Sequence, residues 1–553
     1  MSRRVALLGA IVACCLPACS AIHTEVGEVA EAPTYDAELY PWASRHDVEL
    51  EVGARDVVDA ADGKRLLSVS FSFVAYRDYP EAGDVRRATG SVFFPLDEKG
   101  LVRSARPGEG VVTEYPPGAS VAGFDLFAEY GQRPAAELGV PAAVVDVRGP
   151  VLRDLRQYEN PDATDHSPFT SEDQFAYAML RSYQQSGDLT LLWEQRVGAA
   201  WLRAIHAVDQ VVAQETKVGS NRFVLVAERR GAIGAAQAAA VDDAVRGLVD
   251  CGWPLDWMDY HFVRWRRWEL EARYAPLAAI QPCAYENSRA VLSFLSSTYG
   301  NPDPGCPSCT GTGARWLAQF DLARLRGGPL ANVPLLLLVG DSDPDAPIDL
   351  EARASAPPEL LAAPPPPEHA DRQVSRGPFA NERPLPFDDL RYLPGATSTL
   401  AQPVASEAVL AWIQHLDGFR DIPRMRVDEE IVEGDVRVTV RTVEGNATIT
   451  GAEIRLLEIG DREDSDFQAP LHRETPLPLA WRRIDPLYAG NARGPQGPSP
   501  TPRWKGYFPF NPSRNQAYYV VVRTRVGALS TSHSLPVRAI WNLGDPAVGP
   551  ARF

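Results

Sequence analysis

The chain has 553 residues, of which 45% are hydrophobic and 23% are charged, and this length allows about three to five domains. Such a composition excludes a fully disordered chain, a collagen-like repeat and a protein with many membrane spans. The 55 Lys and Arg residues against 72 Asp and Glu residues give a net charge of −17. This balance argues against nucleic acid as a partner and against docking on anionic lipid through a basic face.

Residues 1–19 have the pattern of a bacterial lipoprotein signal peptide. Two arginines precede the apolar run VALLGAIVACC at 5–15, which is too short to span a bilayer after cleavage. The next four residues, LPAC at 16–19, resemble a lipobox, in which a small residue stands before the cysteine that is acylated and becomes the mature N-terminus. We therefore predict a lipid on Cys19, with a plain secretory signal cut nearby as the alternative.

The segment after this cysteine predicts where the protein resides. Residues 20–45 are acidic and poor in large apolar side chains, which predicts a flexible tether. Ser20 stands where the lipoprotein sorting rule associates Asp with retention in the inner membrane. We therefore expect an extracytoplasmic protein that is held in the outer membrane by its N-terminal lipid, on the periplasmic or the surface face.

Four cysteines follow the predicted signal peptide, namely Cys251, Cys283, Cys306 and Cys309. An even number in an oxidising compartment favours two disulfides, for which three pairings are possible. A zinc site made of the same four thiolates is an alternative. The sequence CPSC at 306–309 lies in a Gly/Pro-rich stretch and not at a strand-to-helix junction, which disfavours a thioredoxin-like redox role. We expect stapled loops, with no metal and no cofactor.

Residues 46–422 alternate apolar runs of strand length with helical patterns, which is typical of a mostly parallel sheet with flanking helices. The predicted strands are Val48–Val58, Leu66–Ala75, Gly90–Phe94, Gly110–Glu114, Pro141–Val147, Arg222–Ala227, Val245–Asp250 and Val333–Gly340. The last four are continuous Val/Ala/Leu runs, as expected for strands that are covered on both faces. The predicted helices include Glu172–Gln185, Leu191–Glu215, Gly231–Asp242, Ser288–Ser296 and Val404–Leu416.

Two further segments and a second domain complete the organisation. Residues 251–283 are rich in aromatic side chains and suit a cap over the strand ends, whereas residues 355–388 contain four consecutive prolines and form a predicted insertion. From 423 to 553 the pattern has period two, which predicts a small, immunoglobulin-like β-sandwich. Its predicted strands are Asp435–Arg441, Thr450–Leu457, Ala517–Val526 and Leu535–Trp541, with Ala489–Arg503 as an extended or disordered loop.

The sequence AERRG at 227–231 is the best candidate for a nucleophile turn. In an α/β hydrolase the nucleophile sits on a sharp turn between a buried strand and a helix, usually within Gly-x-Ser-x-Gly. Here an apolar strand precedes the turn and a helix of small residues follows it. We predict Glu228 at the nucleophile position, and an ion pair with an adjacent arginine is the simpler role for its carboxylate.

Several segments together resemble the PhoPQ-activated pathogenicity-related family, which is α/β-hydrolase-like and related to the autocrine proliferation repressor. The segments are residues 135–147, 172–211, 226–250, 332–347 and 390–400, together with the C-terminal strands. The resemblance covers about residues 45–545, but no single motif is intact. It implies that Asp343 matches the triad acid, that Glu228 replaces the nucleophilic Ser, and that Ser398 replaces the His.

With only the acid of the triad retained, we expect no acyl-hydrolase chemistry. The remaining histidines after the acid are predicted to be exposed or structural; they are His369, His415, His472 and His533. A hydrolase with an unusual active site, either serine-hydrolase-like or with a carboxylate nucleophile at Glu228, is the alternative, but the carboxylate would still need a general base. We therefore predict a degenerate α/β-hydrolase domain in a non-catalytic protein that binds a small ligand or an envelope protein.

The aromatic cap supplies the candidates for a ligand pocket, which are Trp253, Trp257, Tyr260, Trp265 and Trp268. Together with the two acids Glu228 and Asp343, these rings suit a cationic ligand through ion pairing or cation–π contact. Packing of the cap against the domain is the simpler explanation for the same residues.

Overall fold

A computed structural model provides the coordinates. It describes residues 48–60, 62–77, 85–116, 123–149, 186–220, 222–253, 319–340, 389–393, 399–419, 424–444, 448–459, 481–494, 497–511, 515–526, 529–534 and 538–540, together with 176, 178–180, 182–183 and 315–316. The predicted signal peptide, the tether, the insertion at 355–388 and the helix at Ser288–Ser296 lie outside these residues, as does most of the helix at Glu172–Gln185.

Within the described residues, nine strands form one sheet. In chain order they are β1 (Glu51–Asp59), β2 (Arg65–Arg77), β3 (Val85–Pro95), β4 (Glu109–Glu114), β5 (Ala142–Val145), β6 (Arg222–Glu228), β7 (Val245–Cys251), β8 (Leu335–Gly340) and β9 (Asp389–Leu393). The predicted strands therefore correspond to β1 to β8, whereas β9 is short and was not predicted from the sequence.

The order of the strands changes direction at β4. The order across the sheet is β1-β2-β3-β5-β4-β6-β7-β8-β9, with antiparallel pairs from β1 to β5 and parallel pairs from there to β9. The chain passes from β4 to β5 on one side and then crosses back to β6 on the other side. Ligand sites of open α/β sheets lie at such a switch point, outside the carboxyl ends of the strands. The predicted mostly parallel, α/β-hydrolase-like sheet is confirmed.

Helices cover both faces of this sheet. They are α1 (Arg133–Leu138), which continues a π-helical turn at Ala128–Gln132, α2 (Trp193–Thr216), which follows a 3-10 turn at Leu189–Leu191, α3 (Arg230–Val241), α4 (Leu322–Arg326) and α5 (Pro403–Leu416). The apolar side chains of α2 and α3 pack on one face, and those of α1 and α5 pack on the other. The sequence predicted α2, α3 and α5 to within two residues at each end. No described helix is long and apolar enough to cross a membrane.

The C-terminal strands form the predicted sandwich. They are β10 (Arg424–Val432), β11 (Asp435–Glu444), β12 (Thr448–Ile459), β13 (Arg482–Ile484), β14 (Leu487–Gly494), β15 (Gly497–Pro509), β16 (Asn515–Val526), β17 (Leu529–Ser534) and β18 (Arg538–Ile540). One antiparallel sheet has the order β10-β11-β15-β14, and the other has β13-β12-β16-β17 with β18 also on β16. Alternate side chains such as Val436 and Val438 from the first sheet and Ile454 and Val520 from the second share one buried core.

The predicted loop at Ala489–Arg503 is wrong, because most of it belongs to the paired strands β14 and β15. Its glycines and prolines resemble a linker in sequence. From Arg503 to Pro509, β15 pairs with β11, whereas residues 497–502 extend beyond β11 and pair with β14 alone. Proline is tolerated there because one side of the strand needs no donor.

The sandwich packs on the α/β domain beside β9. The ring centroid of Tyr392 on β9 lies 4.9 Å from that of Tyr519 on β16, which lies 5.0 Å from that of Trp481. The buried guanidinium of Arg391 donates to a carbonyl oxygen of α5 and, at 3.4 Å, to the carbonyl oxygen of Ser532 in β17. The end strand of the large sheet is therefore covered instead of being open to pairing with another chain.

A single glycine allows α3 to pack directly on α2. A Cβ added at Gly234 would lie 2.4 Å from Cγ1 of Val197 and 2.9 Å from Cδ1 of Trp201, which is closer than real atoms approach. The small residues of α3 are thus a packing requirement, since a larger side chain here would separate the two helices.

We expect Gly234→Ala to lower the free energy of unfolding, although alanine favours a helix over glycine by about 1 kcal/mol. The new methyl group must push the two helices apart, and overpacking of this kind costs about 1–3 kcal/mol. Thermal unfolding followed by circular dichroism measures the change. Gly451→Ala is the control, because nothing lies within 4 Å of a Cβ placed there. An equal melting temperature for both variants would contradict the close helix contact.

Candidate functional site

The turn between β6 and α3 has a strained residue at Arg229. Its backbone has φ 50° and ψ −126°, a conformation that non-glycine residues rarely adopt. Arg229 is also the middle residue of Ala-x-Arg-x-Gly, which is where Gly-x-Ser-x-Gly places its serine. The strained backbone thus lies one residue after Glu228, which the sequence predicts at the nucleophile position. Glu228 is still part of β6, because it pairs in register with Cys251 of β7, and the chain turns only after it.

The carboxylate of Glu228 is buried and bound to the segment before α5. Its Oε2 accepts hydrogen bonds from the backbone N–H of Leu400 at 2.7 Å and from the hydroxyl of Thr399 at 3.0 Å. The simpler prediction, an ion pair with an adjacent arginine, does not describe these contacts, and the Arg230 guanidinium pairs instead with Glu194 at 3.2 Å. The carboxylate therefore joins the end of β6 to the segment before α5.

Tyr130 binds the same segment through the carbonyl oxygen of Leu400. Its hydroxyl donates to the carbonyl oxygen of Leu400 at 2.9 Å. Burial raises the pKa of this phenol well above its ordinary value, and the nearby Cys251 and Glu228 side chains raise it further. Tyr130 thus stays a hydrogen-bond donor, and both polar backbone groups of Leu400 are bound. Ser398, which the resemblance places at the His position, directly precedes this segment but lies outside the described residues, as does Asp343.

A second buried carboxylate, that of Glu114, binds the backbone at the start of the turn. Glu114, the last residue of β4, accepts the backbone N–H of Glu228 at 3.1 Å on Oε2, and its Oε1 accepts the Arg148 guanidinium. A Cβ added at Gly231 would lie 2.0 Å from Glu114 Oε2, so only glycine fits at the start of α3. Burial raises the pKa of Glu114 to about 7, against the opposing attraction of Arg148 and the hydrogen bond from the Glu228 N–H.

The sequence did not single out Glu114 and Arg148 as a pair. The only local signal is an acid at the end of the apolar run GVVTE, at the carboxyl edge of a predicted parallel strand. Its partner lies 34 residues further along the chain, beyond β5. Nothing local connects them, and the sheet order that brings the two strand ends together is needed to find the pair.

At the end of β7, Asp250 and Trp253 are also buried. Asp250 accepts the backbone N–H of Trp253 at 2.9 Å, and burial raises the pKa of this carboxyl well above its ordinary value. Trp253 is 6% exposed, and its ring lies 5.8 Å from the Arg230 guanidinium. This first pocket candidate is thus a core residue, which agrees with the simpler packing explanation. The other candidates, Trp257, Tyr260, Trp265 and Trp268, lie outside the described residues.

Most of the cysteines and histidines to which the sequence analysis assigned a role lie outside the described residues. Cys251 is buried at the end of β7, while Cys283, Cys306 and Cys309 lie outside, so the disulfides stay a prediction. Of the described histidine side chains, none bonds to Glu228, and His206 instead bonds to Asp242 at 2.9 Å. The part of the chain that the structure describes contains no group of three or more His, Cys, Asp or Glu side chains suited to a metal ion.

No protein-family model matches the sequence, and no curated protein matches it. Similar solved structures include acetyl xylan esterase 1 from Thermoanaerobacterium sp. JW/SL YS485, with 14% identity and a TM-score of 0.37 over 69% of this chain and 95% of that chain. Another is a glucuronoyl esterase from Teredinibacter turnerae T7901, with 13% identity and a TM-score of 0.35 over 67% of this chain and 79% of that chain. At these scores the α/β-hydrolase-like assignment rests on the strand order and the strained turn.

The raised pKa of Glu114 predicts a pH dependence of stability. The folded protein holds the proton up to about pH 7, whereas the unfolded chain loses it near the ordinary value of 4.5. The stability from this group is therefore present below pH 4.5 and is lost as the pH rises through 7. We expect the free energy of unfolding of the wild type, relative to Glu114→Gln, to fall over this window by at most about 1.4 kcal/mol per pH unit.

Urea unfolding curves at several pH values measure this difference. Glu114→Gln also removes the carboxylate that pairs with Arg148, so the slope of the difference with pH is the quantity compared, and not its absolute size. Glu407→Gln, on the exposed side of α5, is the control, because it removes a carboxyl group from the surface. Parallel curves for the wild type and Glu114→Gln would show that Glu114 does not titrate between the two states in this range.

Proposed function

We propose that the chain is an exported lipoprotein whose α/β-hydrolase-like domain is non-catalytic and serves for binding at the cell envelope. The observation that carries this proposal is the residue on the strained turn. Arg229 occupies the position from which this fold presents its nucleophile, and a guanidinium has no lone pair available for attack on an acyl group. The strained turn between β6 and α3 therefore presents no nucleophilic group at Arg229.

The contacts of Glu228 argue against the alternative of a carboxylate nucleophile. An attacking carboxylate must reach the substrate and then be freed with the help of a base. Here Oε2 already accepts two hydrogen bonds, from Thr399 and Leu400, in a buried position. Moving it toward a substrate would leave the Leu400 N–H without its acceptor, at a cost of about 1–3 kcal/mol.

We also propose a family and a membrane location for the chain. We place the chain as a diverged member of the PhoPQ-activated pathogenicity-related family, on the segments that resemble it between residues 45 and 545. Ser398 at the His position is in keeping with a site that has lost its base, since no described histidine bonds to Glu228. The lipobox at 16–19 and the residue after it favour the outer membrane as the address.

We expect purified protein to hydrolyse p-nitrophenyl acetate and butyrate no faster than a buffer blank, because neither Arg229 nor Glu228 offers a free nucleophile. Initial rates are measured for the wild type, Glu228→Gln and the exposed control Glu407→Gln. Turnover that disappears in Glu228→Gln but not in the control would overturn the proposal and establish a carboxylate nucleophile.

The double variant Arg229→Ser/Ser398→His tests whether the domain can support hydrolysis once a nucleophile and a base are restored. It puts a hydroxyl on the strained turn and an imidazole at the position to which the resemblance assigns the base. Weak turnover in the double variant but not in Arg229→Ser alone would support a degenerate hydrolase.

The lipid anchor is tested separately in a Gram-negative host. We expect Cys19→Ala to abolish incorporation of labelled palmitate and to move the protein from the membrane fraction to the soluble periplasmic fraction, because a chain without its acyl groups has no anchor. Cys15→Ala is the control, since this cysteine belongs to the apolar run of the signal peptide. Cys19→Ala protein that keeps its label and stays with the membrane would contradict lipidation at this residue.

A further inference from the structure

Three arginines of the sandwich converge on one carboxylate. Glu453 on β12 accepts the Arg455 guanidinium on Oε1. Its Oε2 lies 3.3 Å from Nε of Arg483 on β13 and 3.3 Å from Nη2 of Arg523 on β16. Glu453 itself is buried, so the carboxylate is the fixed centre of the cluster.

The register of three neighbouring strands creates this arrangement. Arg455 stands opposite Arg483 between β12 and β13, and Arg523 stands opposite Gly451 between β12 and β16. Because side chains alternate along a strand, Glu453 and the three arginines all belong to the same face of the sheet. That face is opposite to the one that carries Ile454 into the sandwich core.

The cluster is positively charged in a protein that is strongly acidic overall. Three guanidinium groups contact two described carboxylates, the buried Glu453 and the exposed Asp485, which leaves one positive charge, or two when Asp485 is displaced. The whole chain carries a net charge of −17. A local excess of arginine in this setting points to recognition of a compact anion and not to a general basic surface.

The outer two guanidinium groups keep donors for a ligand. Side chains of Arg483 and Arg523 are 48% and 55% exposed, and each guanidinium has five N–H donors, of which the described contacts use few. Both approach the same oxygen of Glu453 at 3.3 Å, so the contacting nitrogens are at most twice that distance apart. A tetrahedral anion spans this separation and accepts from both groups at once.

We propose that Arg455, Arg483 and Arg523, ordered by Glu453, form a binding site for a phosphoryl group. A phosphate monoester matches the two positive charges that remain once Asp485 is displaced, and its three terminal oxygens suit the planar forks of two arginines. A carboxylate ligand brings only one charge and two oxygens, and Glu453 already supplies one carboxylate to these arginines. The phosphoryl group belongs either to a free phosphate compound or to a lipid headgroup.

Asp485 acts as a built-in competitor for this site. Its Oδ1 lies 2.8 Å from both Nε and Nη2 of Arg483, while its side chain is 71% exposed. A bound phosphoryl group takes over these donors and releases Asp485 to solvent. Removal of the Asp485 charge therefore makes binding tighter, whereas removal of an arginine charge makes it weaker.

Calorimetric titration of the full chain in detergent tests the site, with inorganic phosphate and dihexanoyl phosphatidic acid as probes and dihexanoyl phosphatidylcholine as the negative control. We expect Arg483→Gln and Arg523→Gln each to weaken phosphate binding by about tenfold, and Asp485→Asn to strengthen it. Arg441→Gln and Glu407→Gln are the controls, since they change the charge equally at other places on the chain. Melting curves confirm that the half-exposed arginine variants are folded.

Phosphate affinity that is the same in all variants, or absent in the wild type, would overturn the proposal. Equal effects of Arg441→Gln and Arg523→Gln would also overturn it, because binding would then depend on overall charge alone. Where the expected pattern is found, phosphatidic acid that binds at least tenfold tighter than phosphate identifies a lipid headgroup. Equal affinities identify a free phosphate compound. The cluster lies on the sandwich, so this result is independent of the proposed role of the α/β domain.

Discussion

The buried carboxylate of Glu114 fixes the turn on which the candidate site depends. It accepts the N–H of Glu228, touches Gly231 at the start of α3, and pairs with Arg148 beyond β5. A buried charge without partners costs several kcal/mol, so these contacts have to form together. Burial alone favours the protonated acid, whereas Arg148 favours the carboxylate, and the balance brings the pKa of Glu114 to about 7. Glu114 thereby joins the ends of β4 and β6 to Arg148 after β5, directly beside the half-buried Arg229.

The polar side chains at the carboxyl ends of the parallel strands bind backbone groups of the protein itself. In an enzyme, several such groups remain available to the substrate, and the fold tolerates the resulting loss of stability. Here Glu228 and Tyr130 bind the backbone of Leu400 from two sides, and Asp250 binds the N–H of Trp253. The segment that follows Ser398 is thus held by the residues around the turn. This use of the groups supports the proposed non-catalytic role.

Charge is organised differently in the two domains. In the α/β domain, the buried carboxylate of Glu114 is matched by the buried guanidinium of Arg148. On the sandwich, three arginines share Glu453, and only Arg483 has a second described acid beside it. Breaking a matched buried pair is costly, because it leaves the other charge buried and alone. An excess of one sign on a partly exposed face leaves capacity for a ligand, which is why the sandwich and not the turn carries the inference of a binding site.

The sequence by itself determined the mostly parallel sheet, the helices α2, α3 and α5, and the sandwich, because periodicity and apolar runs are local properties of the chain. It also located the turn at 227–231. Only the tertiary structure decided that the strained residue is Arg229 and not Glu228, since the turn begins where pairing of β6 with β7 ends. The partnership of Glu114 with Arg148, the strand β9, the pairing of β14 with β15 and the cluster around Glu453 likewise depend on strand order and register. Those are long-range properties, which residues distant in sequence settle together.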